Sequence, residues 1–198
     1  MSKRIFDFLL SLIGLIILSP IFVVIALWIM ADSSGGIFYR QERIGKNGKP
    51  FRIHKFRTMV VNADKAGGLT VGKDSRITNS GQVLRHYKLD ELPQLIDVLF
   101  GKMSLVGPRP EIAEFMNLYP DDVRQKILSV RPGITDWASI QMIDENDLLA
   151  QYDNPHDAYV EHIMPQKARF YVEYVDNQSF LGDIKIILAT IKKIVHRD

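Results

Sequence analysis

Asp90 and Glu91 stand side by side in Lys88-Leu89-Asp90-Glu91-Leu92-Pro93-Gln94-Leu95. Apolar residues then recur at Leu92, Leu95, Ile96 and Leu99, the spacing of a buried helix face. Proline is tolerated only in the first turn of a helix, so the pattern predicts a helix starting just before Pro93. The two acids then sit at its N-terminus, where free N–H groups and the positive dipole end favour anions. On its own, Asp90 reads equally as an N-cap. Its company suggests more. Lys55 and Arg57 lie two apart on a predicted strand over residues 51–59 and so project from one face, where they could hold a phosphate or remain a solvated surface. Arg85 and Lys88 are one turn apart on a predicted helix over 82–89 that leads straight to Asp90. Arg109 has a proline on each side, in Gly107-Pro108-Arg109-Pro110. Pro110 pushes it out of the α region, so the side chain best suited to bidentate phosphate capture rides on a stiff, extended backbone. A plain surface turn is the alternative reading of that segment.

These residues need a body and a location. The chain has 198 residues and a formal net charge of +2, enough for one domain with a sizeable core. It has no cysteine, which excludes a disulfide scaffold, a thiol nucleophile and Cys-ligated metal sites. The near-neutral total hides local polarity. Between Arg40 and Arg57 there are seven Lys or Arg and one acid, Glu42; between Asp144 and Glu161 there are six acids and no Lys or Arg. The basic stretch could face anionic lipid, nucleotide or nucleic acid, or be a solvated surface.

After Lys3 and Arg4, an apolar run extends to Ala31, interrupted by Asp7, Ser11, Gly14, Ser19 and Pro20. About 20 such residues suffice to cross a bilayer core. The run is longer than a signal-peptide core and has no good cleavage site after it. Pro20 removes one helical hydrogen bond, and Ser19 can satisfy the freed carbonyl where water is absent. Basic residues flank the run on both sides, and basic flanks prefer the cytoplasmic face. A kinked span and a re-entrant hairpin both remain open, the charge symmetry leaning to the hairpin.

Beyond it, Ser33-Ser34-Gly35-Gly36 reads as a linker, 37–40 as a strand, 45–50 as a turn, and Gly67-Gly68 with Gly72 as a loose loop. Residues 111–118 read as a short helix, Arg131-Pro132-Gly133-Ile134-Thr135 as a rigid turn carrying a cation, and 144–161 as a solvated helix-turn element. His156 and His162 have no spacing that compels a metal site. From Ser179 on, Ile184, Ile187, Leu188, Ile191, Ile194 and Val195 share one helical face, suited either to a membrane interface or to ordinary packing, with Asp183 as a candidate cap.

Four motifs occur in order behind the membrane segment: Lys55-Phe56-Arg57-Thr58-Met59, Leu89-Asp90-Glu91-Leu92-Pro93-Gln94, Gly107-Pro108-Arg109-Pro110 and Arg131-Pro132-Gly133-Ile134-Thr135. Together they closely resemble the monotopic phosphoglycosyl transferases, the bacterial sugar transferase family, in its small single-domain members. The resemblance implies transfer of a sugar-1-phosphate from a UDP-sugar to polyprenol (undecaprenyl) phosphate with release of UMP, the first step of lipid-linked glycan or exopolysaccharide assembly. In that light Asp90 matches the nucleophile that forms a covalent phosphosugar intermediate, and Glu91 the acid that holds Mg²⁺. Lys55, Arg57, Arg85 and Arg109 match phosphate- or acceptor-binding positions, and Asp183 a further active-site acid.

The implied fold is α+β and mostly helical. Residues 1–32 would form a re-entrant membrane helix broken at Ser19-Pro20. Residues 33–198 would form a cytosolic-face catalytic domain, with a small β element and interfacial amphipathic helices, on the bacterial inner membrane. The implied partners are UDP-sugar, polyprenol phosphate and membrane lipid, with a homodimer and downstream glycosyltransferases open and no nucleic acid. Asp136-Trp137-Ala138-Ser139 departs from the Gly-Leu-Ala-Gln common in the family, so the sugar does not carry over. A catalytically inert adaptor bound to anionic lipid is the competing reading, and a membrane-tethered nucleic-acid binder fits only loosely.

Overall fold

The computed structural model describes residues 2–63, 70–72 and 74–196, so the Gly67-Gly68 part of the expected loop lies outside the described residues. Helix α1 (Ser2–Asp32) comes first. It is followed by the antiparallel pair β1 (Phe38–Ile44) and β2 (Pro50–Phe56), in register from Phe38↔Phe56 to Ile44↔Pro50. Then come α2 (Asn79–His86), a 3-10 turn over Leu89–Glu91, α3 (Gln94–Leu99), β3 (Ser104–Val106), α4 (Ala113–Met116) and α5 (Asp121–Leu128). Strand β4 (Gly133–Thr135) precedes α6 (Trp137–Gln141), α7 (Glu145–Leu149) and α8 (Pro155–Ala158). A π-helical turn over Tyr159–Ile163 leads into α9 (Met164–Asp176), and α10 (Phe180–Val195) ends the order. The architecture is the mostly helical α+β one expected from the sequence.

α1 stays helical through Ser19-Pro20, where a break was expected. Pro20 cannot donate to the Ile16 carbonyl, and Ser19 Oγ donates to it instead at 2.8 Å. Both ends of α1 are tied to the same body. Near the start, Lys3 Nζ meets Asp183 Oδ2 at 2.5 Å, and Arg4 donates to the carbonyls of Val98 and Leu99, capping the C-terminus of α3. Asp7, buried, accepts from Ser104 Oγ at 2.8 Å and Leu105 N at 3.3 Å. At the far end, Ile25 and Ile29 pack with Phe56 and Leu84, and Asp32 accepts from both the backbone and hydroxyl of Ser80. Between these anchors Ile16, Ile17, Val23 and Val24 are exposed.

Arg131-Pro132-Gly133-Ile134-Thr135 is not the free turn it resembles. Its last three residues form β4, parallel to β3 with Ser104 opposite Gly133 and Val106 opposite Thr135. Glycine is required there, since a Cβ on Gly133 would lie 2.1 Å from Gly107 N. Residues 170–175, whose sequence suits helix or strand, are helical, inside α9. α10 is capped by Ser179, not Asp183. It turns Asp183 and Ile186 inward and leaves Leu188, Ile191 and Val195 of the apolar face exposed.

Asp7→Ala would strand the Leu105 N–H and the Ser104 hydroxyl in a buried site, at a cost of about 2–3 kcal/mol. Thermal unfolding of the detergent-solubilised protein should show a midpoint lowered by about 5 °C or more. A midpoint within about 1 °C of wild type would contradict the anchoring role assigned to Asp7.

Candidate active site

Asp90 and Glu91 lie in the 3-10 turn, just ahead of the helix start expected near Pro93. Asp90 makes no capping hydrogen bond, so the N-cap reading fails. α3 also turns differently than its apolar spacing implies. Leu95, Ile96 and Leu99 are half-buried, while Gln94, Asp97 and Val98 are buried. α3 packs between α1 and β2, and Asp97 is accommodated inside by accepting from His54 N at 2.7 Å and pairing with His54 Nδ1 at 2.8 Å.

The turn presents its two carboxylates in opposite states. Glu91 is clamped. Lys55 Nζ donates to Oε1 at 2.9 Å, Arg109 Nη1 to Oε2 at 2.9 Å, and Arg109 Nη2 to Oε1 at shorter range. Burial opposes the charge on Glu91, but the Arg109 and Lys55 cations outweigh it and hold the carboxyl well below the usual range. Asp90 is buried, and its Oδ1 has no hydrogen-bond partner among the described residues. Burial and then the adjacent Glu91 charge push its carboxyl up, with Lys55 and Arg85 only partly offsetting them. One acid is thus pinned ionised as an orienting group, and the other is unsolvated, unpaired and more basic. That division suits a carboxylate that must attack an electrophile.

The cations divide in the same way. β2 carries Lys55 to Glu91, and the proline-flanked segment carries Arg109 to the same carboxylate. Arg85, on α2, donates to Thr58 Oγ1 at 2.9 Å and Thr70 Oγ1 at 3.2 Å. It lines the same cavity, of about 1420 Å³, as Asp90, Glu91, Lys55, Lys88 and Arg109. Arg57 does not join them. β2 ends at Phe56, and the buried Arg57 guanidinium donates to the carbonyls of Ser33, Ser34 and Gly36. It is committed to the linker leaving α1. Asp183 likewise stands outside the cavity lining, held by Lys3 and by Tyr174 OH at 2.9 Å. Ser19 and Pro20 do not line the cavity, whereas Leu10, Ile13 and Ile17 of the same helix contribute apolar wall.

Three residues went unnoticed in the sequence: Thr58, which orients Arg85, and Glu111 with Lys167 on another part of the wall. Lys167 is buried on α9 and meets Glu145 at 2.8 Å, the one acid of the otherwise solvated 144–161 stretch that turns inward. No spacing in one chain reveals the pairing of Lys167 with Glu111 across 56 positions.

Oxygen-only donors suit Mg²⁺, which commonly uses one or two carboxylates and completes its shell with substrate phosphates. Among the described residues no three His, Asp or Glu converge as a metal cluster. Asp90 Oδ1 lacks a partner and Glu91 Oε2 accepts one bond, so this adjacent pair fits a hard cation shared with a bound diphosphate.

A family model described as bacterial sugar transferase matches residues 1–197. The exopolysaccharide production protein ExoY of Sinorhizobium fredii is 36% identical over 98% of this chain and 85% of its own length. The UDP-glucose:undecaprenyl-phosphate glucose-1-phosphate transferase of Escherichia coli is 37% identical over 96% of this chain, which spans 39% of that protein. The UDP-N-acetylgalactosamine-undecaprenyl-phosphate N-acetylgalactosaminephosphotransferase of Aeromonas hydrophila is 34% identical over 98% of this chain and 43% of its own length.

The two carboxylates should have opposite effects on stability. Asp90, raised in the folded state, releases its proton first from the unfolded chain. Stability is therefore lost as pH rises from the ordinary aspartate value of about 3.9 through the raised one. Glu91, depressed, contributes stability above the ordinary glutamate value of about 4.3 and loses it as pH falls toward its folded value. At pH 7 Asp90→Asn should raise the thermal midpoint. Glu91→Gln should lower stability by about 3 kcal/mol, because it leaves Arg109 and Lys55 with a neutral partner. Both differences should shrink in acid. A lowered midpoint for Asp90→Asn at pH 7 would contradict the reading of Asp90 as an unpaired, buried charge.

Proposed function

The chain belongs to the bacterial sugar transferase family, and on that footing we propose that it transfers a sugar-1-phosphate from a UDP-sugar to undecaprenyl phosphate, releasing UMP. The observation that carries this reading is the unpartnered, buried Asp90 carboxylate facing a cavity that also holds Lys55, Arg85 and Arg109. An inert adaptor has no use for such a group, and leaving it unpaired costs stability.

In the proposed sequence an Asp90 oxygen attacks the β-phosphorus of the UDP-sugar. The bond from that phosphorus to the bridging oxygen breaks, and UMP leaves. The acyl phosphate so formed carries the sugar. A phosphate oxygen of the polyprenol acceptor then attacks the same phosphorus, restoring the carboxylate and giving the polyprenyl diphosphosugar. Splitting one displacement into two suits a site that must bring together a water-soluble donor and a lipid acceptor. Glu91 holds Lys55 and Arg109 in fixed positions, where their charge opposes that of the diphosphate. Mg²⁺ bound by Asp90 and Glu91 would neutralise further phosphate charge. The apolar wall contributed by Leu10, Ile13, Ile17, Ile187 and Ile191 suits a prenyl chain.

The anchoring of α1 supports a monotopic arrangement on the cytoplasmic face. A straight helix of 31 residues is about 46 Å long, enough to separate its ends across a bilayer. Here Lys3, Arg4, Asp7 and Asp32 all bond to one body, and basic residues flank both ends. A helix that enters and leaves by one leaflet meets these constraints, its exposed middle turned to lipid. The relatives' names span glucose and N-acetylgalactosamine, so the donor sugar is what a panel must read.

Purified protein with Mg²⁺, undecaprenyl phosphate and a panel of UDP-sugars should release UMP from at least one donor. Asp90→Asn should cut this by at least about a thousandfold while remaining folded. Wild-type rates in that variant would remove Asp90 from the nucleophile's role. For topology, a Ser2→Cys variant should react with an impermeant thiol reagent only after cells are opened; labelling from outside intact cells would overturn the one-leaflet arrangement.

A further inference from the structure

The cavity wall has a second polar group away from the Asp90–Glu91 turn. It comprises Glu111, Glu145 on α7, Lys167 on α9 and Tyr159 in the π-helical turn, with Arg43 of β1 alongside. Lys167 Nζ lies 2.8 Å from Glu145 Oε2, 3.1 Å from Tyr159 OH and 3.9 Å from Glu111 Oε1. Tyr159 OH donates to Glu111 Oε1 at 2.9 Å. Glu111 Oε2 has Arg43 at 3.9 Å, beyond hydrogen-bond range, and no hydrogen bond among the described residues. One carboxylate oxygen of this cavity-lining residue is therefore uncommitted among the described residues in an otherwise interlocked group.

We infer that this Glu111–Lys167–Glu145 group, with the Tyr159 hydroxyl, is the subsite that reads the hydroxyl pattern of the donor's sugar ring. The inference rests on the UDP-sugar reading above and deepens it. Charge is the first reason. Around Asp90 the wall carries Lys55, Arg85, Lys88 and Arg109 against Asp74, Asp90 and Glu91, an excess of one positive charge suited to phosphates. The second group sets Arg43 and Lys167 against Glu111 and Glu145, a balance of zero, and the exposed Asp144 and Asp147 nearby add negative charge. A phosphate is disfavoured there, and a neutral ring rich in hydroxyls is not.

Reach is the second reason. The sugar is bonded directly to the phosphate under attack, whereas uridine lies beyond a further phosphate. Glu111 follows Arg109 by two residues, so their Cα atoms lie within about 7 Å of each other, and both line the cavity. Rigidity is the third. Carboxylate acceptors and an ammonium donor, fixed and largely desolvated, penalise a hydroxyl of the wrong configuration because a polar group is then left unpaired. The 144–161 stretch keeps most of its acids in solvent, as expected, and turns only Glu145 and Tyr159 to this group.

The test uses the full chain in detergent with Mg²⁺ and undecaprenyl phosphate, and compares Glu145→Gln and Lys167→Arg with wild type. Glu145 is partly exposed, and the glutamine is isosteric, so that variant should fold. UMP release is measured for UDP-glucose, UDP-galactose and their N-acetylhexosamine counterparts, with inhibition by UDP as the readout for nucleotide binding. The expected result is a fall of about tenfold or more in kcat/KM for the preferred donor, a smaller fall for the others, and UDP inhibition unchanged within about twofold. Selectivity thus narrows while nucleotide binding stays. An equal fall for every donor, or no fall for any, would overturn the inference. Weakened UDP inhibition would overturn it as well, by assigning the group to uridine. Absence of UMP release by wild type from every donor would instead overturn the parent reading, and is seen before any variant is compared.

Discussion

The Glu91 carboxylate is the tie on which the site depends. It draws Lys55 from β2 and Arg109 from the proline-flanked segment onto one small turn, so three distant parts of the chain converge. Because both cations are committed to Glu91, neither collapses onto Asp90, and Asp90 keeps a buried oxygen without a partner. A charged group in that position costs stability. The fold bears the cost through the opposite shift at Glu91, where two cations more than offset burial. Adjacent acids thus end in contrasting states because one faces the clamp and the other does not.

α1 sets the second constraint. A helix this apolar would ordinarily be defined by the bilayer alone, but its polar residues are used for docking. Lys3, Arg4, Asp7 and Asp32 each find a partner on the globular body. Asp7 joins β3, Arg4 closes the end of α3, and the linker after Asp32 is gripped by Arg57. The membrane segment is therefore part of the domain's framework. Its Leu10, Ile13 and Ile17 line the same cavity as Ile187 and Ile191 of α10, so in the proposed reaction phosphates and lipid would meet in one space.

That cavity sorts ligands by the character of its walls: excess positive charge around Asp90, an electroneutral polar group at Glu111 and Lys167, and apolar side chains from α1 and α10. Each surface comes from different elements of the chain.

Much of this was legible in the residues themselves. The acid pair, the proline-pinned Arg109, the apolar segment with Ser19 ready to replace Pro20's missing bond, and the amphipathic last helix are local patterns, governed by backbone sterics and periodicity. Local patterns also misled. Lys55 and Arg57 look like one phosphate clamp, but β2 ends between them and Arg57 serves the linker. Asp183 looks locally like a helix cap, and the resemblance implies an active-site acid, yet it receives Lys3 from 180 residues away. Residue type and spacing determined which groups could do chemistry and where helices and strands would form. Only the tertiary structure decided which carboxylate was left unpaired, which cations reached the cavity and that both ends of α1 rest on one body. Burial and ion pairing are set by chain segments far apart in sequence, and these, not spacing, fix the energy of a charge.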